Sequence, residues 1–510
     1  MSIPLSIPLW LPLAAAIVGA FLPTLLRRGL VLGAMGAVLG WVVGTLAHFD
    51  PSAGRKVDGL QNVTDRVWVE PLGIHYKLGL DGLNIALIAL TALLFLVCLV
   101  WALMREWPHE RRFLILFAAA ESAVLGAFMA QDLLLFIAFF DLMLLPFLFL
   151  TLSWGEGPDW RAAITKLFIY TLVGSLLMLA AASATAVLAT SGTEGGLSFV
   201  LSDLQAAGVP SGSQNWIFLC FAAAFLIKMP AFPFHGWMPD GYGAMPMPVL
   251  AVFSAVLSKV AAYAFLRIVL PIFPDASSHF QELMMGLALC SILYGSVMAF
   301  TVNNARLVLG YSSVAQLGFI TLGVFALNSD GAQGALLQSV NHGLVVAPAF
   351  MIVAYLAGRA GGSEDLRDMG GIAFRAPILA TLFLITALAT LAMPGFSNFI
   401  GEFLILLGAF KAHLVFALIA AVGVALAAVY ALRLFIRAMH NREAAGVTSR
   451  ELSAGEAAPL VPIILVILAL AFVPQFLLHR SAPATKRAVA AYAPAPAQPA
   501  PAATLEGQTP

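Results

Sequence analysis

Apolar runs of about 20 residues recur along almost the whole chain, each long enough to cross a hydrocarbon core of about 30 Å. Lipid offers a bare backbone no hydrogen bond, so runs of this length must fold as helices that pair their own polar groups. A membrane β-barrel would instead show short alternating segments, and these runs show none. Composition agrees: the chain is 61% hydrophobic and 10% charged, where soluble domains carry about 25% charged residues. Its formal net charge is zero, and no acidic or basic block suggests nucleic acid as a partner. The cysteines Cys98, Cys220 and Cys290 fall inside apolar runs and make neither a metal nor a disulfide spacing.

Windows of about 19 residues place spans near 4–25, 29–47, 81–103, 112–130, 132–152, 163–190 and 215–234. Further spans fall near 246–271, 281–301, 306–327, 333–358, 376–410, 412–438 and 459–478. The expected fold is thus an all-α membrane protein of about fourteen transmembrane helices. The first stretch lacks a basic start and is read as a retained span rather than a signal peptide. Arg and Lys collect in loops after odd-numbered spans, among them Arg27, Arg28, Arg111, Arg112, Arg359, Arg433 and Arg437. The positive-inside rule puts those loops in the cytoplasm and both termini on the periplasmic side of a bacterial inner membrane.

Two spans are interrupted. The seventh runs into Lys228-Met229-Pro230 and then Pro233, and the twelfth contains Met393-Pro394-Gly395. Proline removes a backbone donor and glycine loosens the helix, so both should break near the midplane. Broken spans five apart fit two inverted five-helix repeats. The expected division is 1–111 with helices 1–3 and an extramembrane loop 48–80, then repeats 112–272 (helices 4–8) and 273–438 (helices 9–13). A cytoplasmic linker and helix 14 fill 439–481, and the Ala/Pro-rich tail 482–510 is expected to be disordered. Within the 48–80 loop, Arg66-Val67-Trp68-Val69-Glu70 alternates like a strand.

A charge at the bilayer centre costs about 2.5–3.5 kcal/mol on insertion scales, so each one needs a reason. Asp141 stands alone in a stretch of Leu, Ile and Phe and is read as a proton-binding carboxylate, against the alternative of a structural ion pair. Lys228 sits at the first break, where free carbonyls and water can solvate its ammonium and let it hand over a proton. Lys259 lies mid-span beside Ser258 and could pass a proton onward; a salt bridge to a neighbouring helix is the plainer reading. Glu402 follows the second break as the counterpart of Lys228, and His342 could join the two halves. Glu121 in the fourth span is a weaker candidate, facing either a lysine or a lateral channel. Acid, lysine, lysine, histidine and acid across a bundle make a plausible proton relay. No nucleophile–base set, phosphate loop or metal cluster accompanies them.

The motifs Asp81-Gly82-Leu83-Asn84, Tyr170-Thr171-Leu172-Val173-Gly174-Ser175, Lys228-Met229-Pro230, Phe234-His235-Gly236-Trp237-Met238-Pro239-Asp240, Tyr311-Ser312-Ser313 and Gly401-Glu402-Phe403 together resemble the antiporter-like subunits of respiratory complex I, the NADH–quinone oxidoreductase. A glutamate rather than a lysine in the twelfth span favours the subunit M type, related to mitochondrial subunit 4, over its paralogues L and N. The resemblance covers about residues 1–480. It implies fourteen helices in two inverted repeats, one proton pathway through Asp141, Lys228, Lys259, His342 and Glu402, and no cofactor in this chain. FMN, iron–sulfur clusters and quinone are expected in partner subunits; the other partners are membrane subunits, including L and N, membrane lipid and protons. The sequence departs from the family pattern at three points: Asp141 replaces the usual Glu, Gly241-Tyr242 replaces Ala-His, and Gln316 replaces a histidine. Rival readings are an Mrp-like cation/proton antiporter subunit, a membrane module of a hydrogenase or inorganic-carbon uptake complex, and a structural spacer.

Overall fold

Eleven helices among the described residues are long and apolar enough to cross a membrane. The computed structural model describes residues 3–51, 59–190, 196–441 and 446–493. In chain order, α1 (Ser6–Gly19) and α2 (Thr24–Ala47) lead into a hairpin of β1 (Gln61–Val69) and β2 (Ile74–Leu80). Then come α3 (Ile85–Ala102), α4 (Glu110–Met129), the pair α5 (Leu133–Leu142) and α6 (Leu144–Trp154), and α7 (Trp160–Thr190). A short α8 (Leu201–Ala207) precedes α9 (Ser211–Lys228), which breaks before α10 (Met238–Ala244). The run from Met247 to Ile272 is α11 (Met247–Val252), α12 (Ser258–Ala264) and α13 (Leu270–Ile272), joined by π-helical turns at Phe253–Leu257 and Phe265–Val269. After α14 (Pro274–His279) follow α15 (Gln281–Thr301), α16 (Ala305–Val324) and α17 (Ser329–Arg359). The second broken span is α18 (Pro377–Thr390) and α19 (Ser397–Ala412); α20 (Leu414–Met439), α21 (Ala454–Phe472) and α22 (Gln475–Ala488) complete the chain.

The eleven long helices, with α1 and the two interrupted spans, line up one for one with the expected fourteen. Their outer faces carry large apolar side chains in the open, such as Phe168, Ile169, Leu172, Val173 and Leu176 on α7. That is the surface lipid requires and water forbids. The centre is formed by the Met247–Ile272 run, buried throughout, and by α16 and α17, buried almost throughout.

The hairpin is antiparallel, and its alternating residues sit in β1 as expected, with Glu70 opening the turn. It is tied to the bundle rather than free. The Gln131 backbone N–H donates to the Lys77 carbonyl, and the His75 N–H to Asp132. At its base Asp81 accepts the Leu83 N–H and pairs with partly buried Arg267 at 2.5 Å. Asn84 donates to Gly79 and Phe128 carbonyls, so the Asp-Gly-Leu-Asn motif is a structural lock.

The expectation of a disordered tail from 482 is corrected by α22, which runs through Ala488 and is followed by a turn at Ala490–Tyr492. Alanine is the best helix former, and α22 buries Ala484, Thr485 and Ala488 against its neighbours. Arg480 donates to the Leu46 and Ala47 carbonyls at the end of α2, satisfying acceptors that a helix leaves open. Gln333 donates to Leu478, and Tyr492 to Leu270. The rest of the tail, 494–510, lies outside the described residues. The 439–458 linker is likewise anchored in its described part: buried Arg359 donates to the Arg450 and Glu451 carbonyls and pairs with Glu456.

Glu451, in this linker, accepts the backbone N–H groups of Ile378 and Leu379 and so caps the start of α18. Partial burial works against its charge, yet these bonds, that of Leu452 and the charge of Arg359 hold its carboxyl below the ordinary range. A depressed carboxyl stabilises the fold above its unfolded value and loses that contribution as pH falls through the folded one. Hydrogen exchange at Ile378 and Leu379, corrected for intrinsic rate, should therefore accelerate as pH falls below the ordinary carboxylate range. In Glu451→Gln the faster exchange should be present already at neutral pH.

Candidate functional site

The first break puts Lys228 at the last turn of α9, facing the kink between α5 and α6. Its ammonium donates to Asp141 at 2.7 Å and to the Phe140 carbonyl at 3.1 Å, and lies 4.0 Å from the centre of the Phe140 ring. Asp141 is one methylene shorter than the family's glutamate, and it still reaches. Ser175 on α7 donates to the same carboxylate oxygen at 2.5 Å, which gives the Tyr170–Ser175 motif a role the sequence did not reveal. The pair is lopsided in exposure: the Lys228 side chain is 3% exposed and that of Asp141 37%. The carboxylate looks into an apolar cavity of about 340 Å³ between α5, α6 and α7, lined by Leu142, Leu145, Phe168 and Leu172 among others.

Lys259 follows the first π-helical turn and is fully buried. Its ammonium donates to the Ser254 carbonyl at 2.9 Å and to Ser258 Oγ at 3.1 Å; no carboxylate pairs with it among the described residues, so the salt-bridge reading fails. π-Helical turns are rare and recur at functional sites. Here the turn supplies an acceptor to an ammonium that has no carboxylate partner among the described residues. His342 on α17 is buried, and its Nδ1 lacks a hydrogen-bond partner among the described residues. The packing of α17 on the π-helical turn depends on Gly343: a Cβ there would lie 2.7 Å from Leu90 Cδ2 and 2.8 Å from the Ala255 carbonyl oxygen.

Glu402 is held differently from Lys228, its expected counterpart. No cation pairs with it among the described residues. Gln316 donates to Glu402 Oε1 at 2.7 Å, and Gln338 donates to Gln316 at 2.7 Å, while Glu402 Oε2 stays unpartnered. Gly401 makes room for this, since a Cβ there would meet Gln338 Oε1 at 2.5 Å. The departure at Gln316 thus places an amide donor on the carboxylate, where a histidine could carry charge. Tyr430 is buried on α20, which packs against α16 and α19, and its hydroxyl has no hydrogen-bond partner among the described residues. Gln338 and Tyr430 were not singled out from sequence. Gln338 had a signal, standing one turn before His342 in a polar stretch of α17 with Ser339 and Asn341; Tyr430 had none.

Between His342 and Glu402 runs a polar seam of α17 and α19. Asn341 donates to the Ser397 carbonyl at 2.7 Å, and both polar side-chain atoms of buried Asn398 are unpartnered. Leaving such a group unsatisfied costs about 1–3 kcal/mol, and proteins usually satisfy it with water. Glu121 stands apart. It is fully buried on α4, and among the described residues both its oxygens are unpartnered, so of its two readings the lysine pairing is not formed.

Asp141, Ser175, Lys228, Lys259, Gln316, Gln338, His342 and Glu402 lie inside the segment, 130–427, that matches the family model described as NADH:quinone oxidoreductase/Mrp antiporter, TM. NADH-quinone oxidoreductase subunit M of Rhodobacter capsulatus is 34% identical over 460 residues, which is 88% of this chain and 87% of that relative. The chain belongs to this family. A solved chain of respiratory complex I from Thermus thermophilus with bound NADH matches with a TM-score of 0.87 at 30% identity, over 96% of this chain and 100% of that one. The Mrp complex from Dietzia sp. DQ12-45-1b shares the fold, with a TM-score of 0.82 at 23% identity over 96% and 99% of the two chains. The recognition by motif and the all-helical membrane fold are both borne out.

Two outcomes follow from the geometry. Asp141→Asn or Lys228→Met alone leaves one partner without its counter-charge, and breaking a buried pair this way typically costs about 3–5 kcal/mol; discounted for the exposure of Asp141, assembly yield in membranes should fall severalfold. The double variant should assemble better than Lys228→Met alone. Gly343→Ala should overpack the contact with Leu90 and Ala255 and destabilise by about 1–3 kcal/mol, read as a lower thermal midpoint of the detergent-solubilised protein.

Proposed function

We propose that this chain is the proton-translocating membrane subunit of a redox-driven NADH–quinone oxidoreductase. One observation carries the reading: in a chain of the subunit M family, the ionisable side chains buried in the bundle form a series. It runs from the Asp141–Lys228 pair through Lys259 and His342 to Glu402. Each is held by helix interruptions or buried polar groups rather than by water at the surface. Such placement is costly for packing alone.

The mechanism begins at Asp141. A change in what fills its apolar cavity opens or tightens the pair with Lys228. Opposite charges hold one another ionised, so opening the pair frees the lysine to shed its proton or to repel the next cation. The shift passes to Lys259, which has no counter-ion among the described residues, then to His342, and along the seam of Asn341, Ser397 and Asn398 to Glu402. The two halves act as inverted repeats, 112–272 and 273–438, each with one broken helix. FMN, iron–sulfur clusters and quinone belong to partner subunits, and the membrane neighbours include the L and N paralogues. The bundle sits in a bacterial inner membrane with both termini periplasmic and its arginine-rich end cytoplasmic.

In inverted membrane vesicles, Lys259→Met and Glu402→Gln should each lower NADH-driven acidification about tenfold or more, with the complex still assembled. Normal acidification in both variants would sink the relay and favour a spacer. Mass spectrometry of proteins that co-purify with the tagged chain tests the redox link. Flavin and iron–sulfur subunits support it, and small multi-span subunits without redox proteins overturn it.

A further inference from the structure

The break after Lys228 opens a backbone carbonyl, and a residue outside the relay closes it. Pro230 has no N–H to offer the Leu226 carbonyl, and the Ala231 N–H takes that acceptor at 3.1 Å. The Ile227 carbonyl, which Ala231 would serve in a regular helix, is left for another donor. It accepts from the indole Nε1–H of Trp237 at 2.9 Å. Ile227 adjoins Lys228, so this bond fixes the turn from which the ammonium reaches Asp141.

Trp237 is fully buried at the end of a short turn, Phe234–Trp237, where α10 begins. Its ring meets that of Phe253 edge to face, with centroids 6.0 Å apart and planes at 86°. Tyr242 stands against both rings, at 6.3 and 6.1 Å, and Phe147 of α6 packs on the Phe253 ring at 5.2 Å. Rings paired in this way hold a preferred tilt as well as a distance. Phe253 opens the first π-helical turn, and its neighbour Ser254 carries the carbonyl that receives the Lys259 ammonium. A hydrogen bond to Ile227 and a ring contact with Phe253 thus join the backbone beside Lys228 to the backbone that holds Lys259.

We propose that Trp237 is a positioning residue that couples the Lys228 end of α9 to the π-helical turn holding Lys259. This rests on the proton-translocating reading and supplies the step between its first two cations. Opening the Asp141–Lys228 pair lets the last turn of α9 move, and the Ile227 carbonyl carries the indole with it. The tilted Phe253 ring follows, and the Ser254 carbonyl turns against the Lys259 ammonium. Packed interiors compress little, so a small displacement is handed on rather than absorbed. The indole takes up no proton in this step; it passes position, and the lysines carry the charge.

The test uses the whole complex in inverted vesicles, with acidification expressed per assembled complex. Trp237→Phe keeps a ring and removes the indole donor; Phe253→Leu keeps apolar bulk and removes the ring. Each should slow NADH-driven acidification about tenfold. The double variant should be no slower than either alone, because both changes break the same link. Trp237→Phe should also shift the infrared carboxylate band of Asp141, the band that Asp141→Asn abolishes. A residue that only stabilises the fold would lower the yield of complex and leave that band in place. Native acidification or an unmoved band in Trp237→Phe, or losses that multiply in the double variant, would overturn the coupling; with Lys259→Met impaired, the relay would still stand. Native acidification in Lys259→Met would overturn both. If Trp237→Phe fails to assemble, Phe253→Leu decides: slowed acidification with a shifted Asp141 band supports the coupling, and native acidification or an unmoved band rejects it.

Discussion

Hydrocarbon cannot solvate a backbone amide or a charge, and the whole molecule follows from that. Each unsatisfied backbone group in lipid costs several kcal/mol, so the chain can leave the helix only where other protein covers the gap. The interruptions after Lys228 and around Met393–Gly395, the π-helical turns and the kink at Met143 are places where covered backbone carries polar function. Lys228 borrows the Phe140 carbonyl and Lys259 the Ser254 carbonyl, acceptors that come with irregular backbone. Regular helices elsewhere give the rigidity that holds these few sites in place.

The two halves solve the burial of charge in different ways. In the first, opposite charges meet directly at Asp141 and Lys228, with Ser175 and a ring face as support. In the second, Glu402 has only neutral amides, Gln316 and Gln338, and one free oxygen. An ion pair keeps both partners charged, whereas amides stabilise a carboxylate weakly and leave it ready to take a proton. Between them Lys259 and His342 have neither solution, and that leaves them sensitive to charge on either side. The asymmetry gives the relay a sense of direction that two identical halves would lack.

Much of this was legible without coordinates. Apolar run length announced the helices, and proline and glycine in mid-run announced both breaks. The cost of burying charge singled out Asp141, Lys228, Lys259, His342 and Glu402. What failed to show were neutral partners. Ser175 and Tyr430 cost little to place in a membrane helix, so nothing in composition marks them, and Gln338 is marked only by its place one turn before His342. The tail misled for a related reason. Alanine and proline look like a chain that cannot make a core, yet α22 needs none of its own, because it borrows the ends of α2, α13 and α17.

The sequence by itself determined the solvent of this protein, its helical class and the identity of its buried charges, because those depend on transfer free energies that each segment carries alone. Only the tertiary structure decided which charges meet. Asp141 and Lys228 are far apart in sequence, as are Gln316 and Glu402. Their contacts depend on how closely helices approach, and that is set by residues such as Gly343 and Gly401, where a single methyl group would stand in the way.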